Sequence, residues 1–207
     1  MPSISLPWRR LPVALLITLI LYTGYQLTNR WHAINPVFLP LTAVDHAIPF
    51  WLWTIWPYFG ILFCLFLPIW LSHDARFQRT MAAMIFAVFL NLFIWTVWPT
   101  VYNRPFVPQG EGWTLAAYHW LCQVDTPANC FPSGHITTPA IAVWAFVQER
   151  PRQKLLWLVG FVLLAMSILT IKQHYVVDLF GGFASATFGW WLAGRFYRFI
   201  PSKVGLN

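Results

Sequence analysis

Six apolar stretches, residues 11–27, 50–71, 81–98, 135–147, 155–171 and 179–197, occupy more than half of this 207-residue chain and decide what it can fold into. Crossing the hydrocarbon core of a bilayer takes roughly 20 mainly apolar helical residues. No water is available there to satisfy backbone N–H and C=O groups, so such runs must bond within themselves as helices. The chain is 58% hydrophobic and 9% charged, whereas about a quarter of an ordinary soluble domain is charged. A water-soluble globule is therefore excluded. The expected fold is all-α: a polytopic membrane protein, a six-transmembrane-helix bundle, with residues 1–207 forming a single membrane domain. The fourth stretch is short and opens on polar residues, so it is expected to begin inside the protein. The 14 Trp, 18 Phe and 7 Tyr suit aromatic belts at the two interfaces.

The formal charge of +7 raises nucleic acid as a partner, but the basic residues form short clusters between apolar runs and no stripe. The positive-inside rule explains them instead. With the N-terminus inside, Arg9, Arg10, Arg76, Arg79, Arg150, Arg152, Lys154, Arg195, Arg198 and Lys203 fall on the cytoplasmic side, leaving Arg30, Arg104 and Lys172 outside. Both termini are then cytoplasmic. Arg9 and Arg10 precede the first run without a convincing small-residue cleavage site after it, the pattern of a retained helix and not of a signal peptide. Of the two long outer loops, 28–49 and 99–132, the second contains an amphipathic segment, 113–122, suited to an interfacial helix. Cys122 and Cys130 share that loop while Cys64 lies in an apolar run; a Cys122–Cys130 disulfide and two free thiols are both open readings.

The three outer cations run against the charge bias, and two of them sit beside histidines. Arg104 lies in Tyr102-Asn103-Arg104-Pro105, Pro132-Ser133-Gly134-His135 opens the fourth apolar helix, and Lys172-Gln173-His174-Tyr175-Val176-Val177-Asp178 joins the last two. A Ser-Gly helix start offers a hydroxyl and unbonded N–H groups at the positive end of the helix dipole, a ready anion site. With helix running through it, the spacing of His174 and Asp178 puts both on one face. The carboxylate can then hold one imidazole nitrogen while the other meets substrate. Arg104 and Lys172 are suited to neutralise an oxyanion, the first as a fork and the second as a point charge. Each feature alone has a structural explanation. Their convergence at one interface, where ionisable side chains are costly and usually functional, points to anion chemistry. No cluster of metal ligands is evident, so no metal or other cofactor is expected.

These residues resemble the type-2 phosphatidic acid phosphatase superfamily, related in fold to vanadium haloperoxidases. Its pattern has a Lys upstream of Arg-Pro, then Pro-Ser-Gly-His, then Ser-Arg followed by His and Asp. Arg104-Pro105, Pro132-Ser133-Gly134-His135, and His174 with Asp178 match, and the resemblance covers a catalytic core of about 81–182. It implies that His174 attacks phosphorus to form a phosphohistidine, that Asp178 orients it, and that His135 protonates the leaving alkoxide. Arg104, Ser133 and the Gly134 amide would hold the phosphoryl oxygens. The expected substrate is a lipid phosphate or phospholipid drawn from the surrounding membrane lipids. The expected location is the plasma (inner) membrane, with the active site on the extracytoplasmic side.

Two positions depart from the pattern. Val97 stands at the first-motif Lys and Ile168 at the third-motif Arg after Ser167. Lys172, one helical turn beyond Ile168, is the expected replacement. The segment from His174 to Asp178 also resembles the sphingolipid phosphotransferase branch, whose members pass a phosphoryl-headgroup unit from a diester to a lipid alcohol. A less charged donor needs fewer cations, so the sequence leaves hydrolysis and transfer both open. A non-enzymatic lipid-binding or transport protein is the third reading.

Overall fold

The computed structural model describes residues 7–31, 35–104 and 108–199. Pro105 and Lys203 lie outside them. Helices α1 (Leu11–Trp31), α5 (Asp74–Val97), α7 (Gly134–Glu149), α8 (Lys154–Thr170) and α9 (Val176–Phe199) form the bundle. Shorter helices α2 (Ala43–Ala47), α3 (Ile55–Phe59), α4 (Ile61–Cys64) and α6 (Trp113–Val124) fill the connections. A two-residue parallel pair, β1 (Val37–Phe38) and β2 (Thr100–Val101), ties two of those connections together. The chain is thus all-α in character, and α6 covers the segment expected to form an interfacial helix.

Among the described residues, four helical segments are long and apolar enough to cross a membrane: Trp8–Arg30, Asp74–Val97, Pro151–Thr170 and Val176–Phe196. This differs from the expected six, at two stretches. Residues 50–71 break into α3, α4 and flanking 3-10 turns at Leu52–Thr54 and Leu67–Trp70. Pro57 and Pro68 each remove a backbone donor and obstruct the preceding turn. The broken stretch still runs the length of the bundle: the Trp51 N–H bonds the Thr170 carbonyl at one end, and the Ile69 and Leu71 carbonyls receive Arg10 at the other. Helix α7 has 16 residues, about 24 Å at 1.5 Å per residue, short of the roughly 30 Å hydrocarbon core.

Helix α5 packs along α9 through small residues. A Cβ on Gly189 would lie 2.4 Å from the Ala83 carbonyl oxygen and 2.8 Å from the Ala87 Cβ, and one on Gly182 would lie 2.7 Å from both the Ile136 Cβ and the Ser133 carbonyl oxygen of the α7 segment. Lipid tails compete equally for apolar side chains, so helices in a bilayer associate by such close approach. Large apolar side chains instead face outward, among them Leu16, Leu19, Phe93, Leu155 and Phe180. Away from the site, Arg10 pairs with Asp74 (2.6 Å) and Glu149 accepts from the Ser72 N–H (2.8 Å), closing the end of the bundle that carries most of the cations.

Candidate active site

The turn after α8 is what delivers His174. Lys172 adopts a left-handed conformation (φ 57°), and the N–H groups of Lys172 and Gln173 return to the carbonyls of Leu169 and Ile168, a C-terminal stop of the kind usually made with glycine. Helix α9 then starts at Val176, so the chain is not helical through His174 as its spacing with Asp178 suggested. The pair meets by capping instead. Asp178 sits in the first turn of α9, fully buried, and its Oδ2 accepts both from the Tyr175 N–H (2.8 Å) and from the His174 ring at Nδ1 (3.1 Å). An ionised carboxylate only accepts, so Nδ1 carries the proton and Nε2 keeps its lone pair.

The same turn is held from outside. Asp45, in α2, closes a capping box with Thr42 and accepts from the Val176 N–H at 2.8 Å. Burial pushes its carboxyl up, but the bonds from Thr42 and Val176, with the Lys172 charge, outweigh this and hold it below the usual range. Lys172 donates to the carbonyls of Ile48 (2.5 Å) and Asp45 (3.2 Å). Its ammonium therefore clamps the 45–48 segment, and no hydrogen bond or ion pair among the described residues joins it to the histidines. The expected placement of Lys172 on the phosphoryl oxygens is not what this conformation has.

Ser133 is the residue before α7, but its hydroxyl makes no capping bond and lies 3.3 Å from His174 Nε2. His135, in the first turn, brings Nδ1 to 3.1 Å from the same atom. Two contacts fix this corner. The Trp95 indole donates to the Pro132 carbonyl (3.0 Å), and its ring stands 3.1 Å from where a Cβ on Gly134 would be, so a side chain there would press on the indole. The first N–H groups of a helix lack an acceptor one turn back; in α7 that of Ile136 returns to the Ser133 carbonyl at 3.2 Å. Arg104 donates through Nη2 to Gln173 Oε1 (2.6 Å) and the Asp125 carbonyl (2.9 Å), while its Nε is buried with no hydrogen-bond partner, a charged donor still available to an anion.

A family model described as the PAP2 superfamily matches residues 46–192. The chain belongs to the PAP2 superfamily. No curated protein and no solved structure matches it. With its apolar spans, this PAP2 protein is a membrane enzyme of the phosphatase and phosphotransferase type.

Three PAP2-site neighbours were not legible in the sequence. Tyr58, from the broken stretch, places its hydroxyl 2.7 Å from His135 Nε2 and 3.2 Å from Asp125 Oδ2, and the Tyr25 hydroxyl donates to Asp125 Oδ1 at 2.5 Å. A cavity of about 230 Å³, lined by apolar residues of α1, α4, α5 and α6, reaches Asp125, His135, Tyr25 and Tyr58 at its polar end. Of the two PAP2 departures, Val97 is 62% exposed and Ile168 is fully buried among apolar side chains.

Cys130, His174 and Asp178 offer ligand-type atoms within 4.8 Å of one another, a set with the atom types for a soft divalent ion. Burial pushes the Cys130 thiol well above its ordinary range, which disfavours the thiolate a metal needs, and His174 Nδ1 is already bonded to Asp178. Cys122 and Cys130 are free thiols and not a disulfide. Cys122 packs with α6 residues against one apolar cluster, and Cys130 against Tyr102 and Tyr175 in another.

Proposed function

We propose that this protein is an integral membrane lipid phosphatase that cleaves a phosphate or diphosphate ester through a phosphohistidine on His174, at the extracytoplasmic face. The observation that carries the reading is His174 Nε2: its ring is anchored by Asp178 through Nδ1, and the attacking nitrogen faces Ser133 and His135. In the forward step Nε2 bonds to phosphorus while the bond to the lipid oxygen breaks and His135 protonates that oxygen. Arg104, Ser133 and the Gly134 amide hold the equatorial oxygens, the electrostatic contribution that usually dominates such catalysis. Water then attacks the phosphohistidine. The apolar cavity supports a lipid substrate because it meets the site at His135, on the leaving-group side. The far end of the bundle, rich in Arg and Lys, supports cytoplasmic termini by the positive-inside rule.

Purified protein in detergent should release inorganic phosphate from a panel of lipid phosphates and diphosphates, and His174→Ala should abolish it. Phosphate release unaffected by His174→Ala would overturn the assignment of the nucleophile, and no release from any lipid would overturn the phosphatase reading.

A second reading, a lipid phosphotransferase, is favoured by one specific observation. Ile168 and Val97 leave Arg104 as the cation bonded into the site, which suits a singly charged diester better than a phosphomonoester. A labelled lipid alcohol incubated with a phospholipid donor then yields a labelled phospholipid in place of inorganic phosphate.

A further inference from the structure

A line of hydrogen bonds runs through the site from a carboxyl on one side to a carboxyl on the other. Asp125 Oδ2, the Tyr58 hydroxyl, His135 Nε2 and Nδ1, His174 Nε2 and Nδ1, and Asp178 Oδ2 succeed one another at 3.2, 2.7, 3.1 and 3.1 Å. The Asp178 end is the one any nucleophilic histidine needs. The Asp125 end belongs to no motif, comes from a different part of the chain, and meets the other histidine.

Counting protons along this line leaves two arrangements. His174 Nε2 presents a lone pair, so the bond between the histidines requires a proton on His135 Nδ1. A neutral His135 then needs a donor at Nε2. Tyr58 supplies it, and the Tyr58 oxygen in turn accepts from a protonated Asp125. Alternatively the proton sits on His135, whose Nε2–H is accepted by Tyr58, and Tyr58 donates to an Asp125 carboxylate. The two differ only in where one proton lies along the Asp125–Tyr58–His135 path, and both place a proton on Nδ1, facing the nucleophile. Tyr25 donates to Asp125 Oδ1 in either case.

We infer that Asp125 and Tyr58 are positioning residues that load His135 with the proton it gives to the leaving group; this rests on His174 being the nucleophile. As the His174 Nε2–P bond forms and the P–O bond breaks, the Nδ1 proton of His135 passes to the departing oxygen. The Tyr58 hydroxyl proton moves to His135 Nε2 and the Asp125 proton moves to Tyr58, leaving a carboxylate. His135 is then neutral with its lone pair on Nδ1, the state required to take a proton from the attacking water. When water displaces the P–N bond, that electron pair returns to His174, the water proton goes to Nδ1, and the Tyr58 and Asp125 protons move back. Burial pushes the Asp125 carboxyl up despite its bonds from Tyr25 and Tyr58 and the nearby Arg104, which suits a group that starts the cycle protonated.

The test compares leaving groups. A lipid alkoxide needs protonation to depart, whereas 4-nitrophenolate does not. Tyr58→Phe keeps the ring that packs 4.9 Å from the His135 ring, and Asp125→Asn keeps the shape of the carboxyl. Each should slow single-turnover phosphohistidine formation from phosphatidic acid by about 100-fold or more, the usual scale of general acid catalysis, while the pre-steady-state burst of 4-nitrophenolate from 4-nitrophenyl phosphate stays within about threefold. A retained aryl burst also shows that the variants are folded. Equal losses on both substrates in both variants, or no loss on the lipid, overturn the relay. A wild-type protein that turns over neither ester overturns the phosphatase reading and the relay that rests on it. A wild type that turns over both, with variants unchanged, overturns the relay alone.

Discussion

Asp178 binds His174 and caps α9 with the same oxygen: Oδ2 accepts from the imidazole at 3.1 Å and from the Tyr175 N–H at 2.8 Å. The first bond sets the imidazole's tautomer and the second starts a helix.

Asp178→Ala removes the acceptor of both bonds. It is expected to reduce kcat by about 100-fold or more, since nothing then holds the proton on Nδ1 and the lone pair on Nε2. A loss of about 1 kcal/mol in stability should accompany it, the usual scale of a lost N-terminal cap. His174→Ala abolishes turnover with the cap intact, so thermal unfolding in detergent separates the two roles.

Asp45 gives a pH dependence of fixed sign. Its folded-state pKa lies below the unfolded value of about 3.9, so its stabilising contribution is complete above that value and is lost as pH falls through the lowered one. Acid therefore releases the Val176 N–H and the α2 segment. Wild-type unfolding temperature should fall below about pH 4, and Asp45→Asn, already destabilised at neutral pH, should show a flatter acid limb. Unfolding curves recorded between pH 3 and 7 check this.

Gly189→Ala forces a methyl group against the Ala83 carbonyl and the Ala87 Cβ. Helix α5 must move off α9, at about 1 to 3 kcal/mol for an overpacked contact, and a lower melting temperature in detergent is expected. Gly160→Ala, on α8, meets nothing within 4 Å and should be neutral or slightly stabilising, which makes it the matched control.

Arg104→Lys keeps the charge but loses the fork that holds Gln173 while leaving Nε for an anion. Guanidinium geometry is not replaced by an ammonium. The expected outcome is a KM for a phosphomonoester raised about tenfold or more. Lys172→Met, which frees the Ile48 and Asp45 carbonyls, should act on stability more than on KM. Steady-state kinetics and melting curves on both variants discriminate these effects.

The parts of the site carried by short-range chemistry were readable in the sequence. Ser133, Gly134 and His135 do open a helix, and His174 and Asp178 do pair. The manner of that pairing was not readable, because four-residue spacing serves both a helical face and a cap, and the left-handed Lys172 carries no glycine to mark the turn. Nor did the spacing of Lys172 from Ile168 indicate its bonds to the Asp45 and Ile48 carbonyls. Tyr58 and Asp125 were out of reach because the link between Tyr58 and His135 spans 77 positions. A carboxylate at the end of an amphipathic helix in a membrane chain was their one signal. The break in residues 50–71 had its signs in Pro57, Gly60 and Pro68, but a run of apolar side chains reads as continuous when only length and hydropathy are weighed.

The shared oxygen of Asp178 also limits how such a scaffold can be reshaped. Folding and reactivity draw on one atom there, so a change of substrate by mutation has little freedom between 174 and 178. The freedom lies with side chains that approach from separate segments, Arg104 beside Gln173 and the apolar wall leading to His135. Libraries aimed at a new headgroup or a new acceptor should vary those positions and leave the turn before α9 untouched.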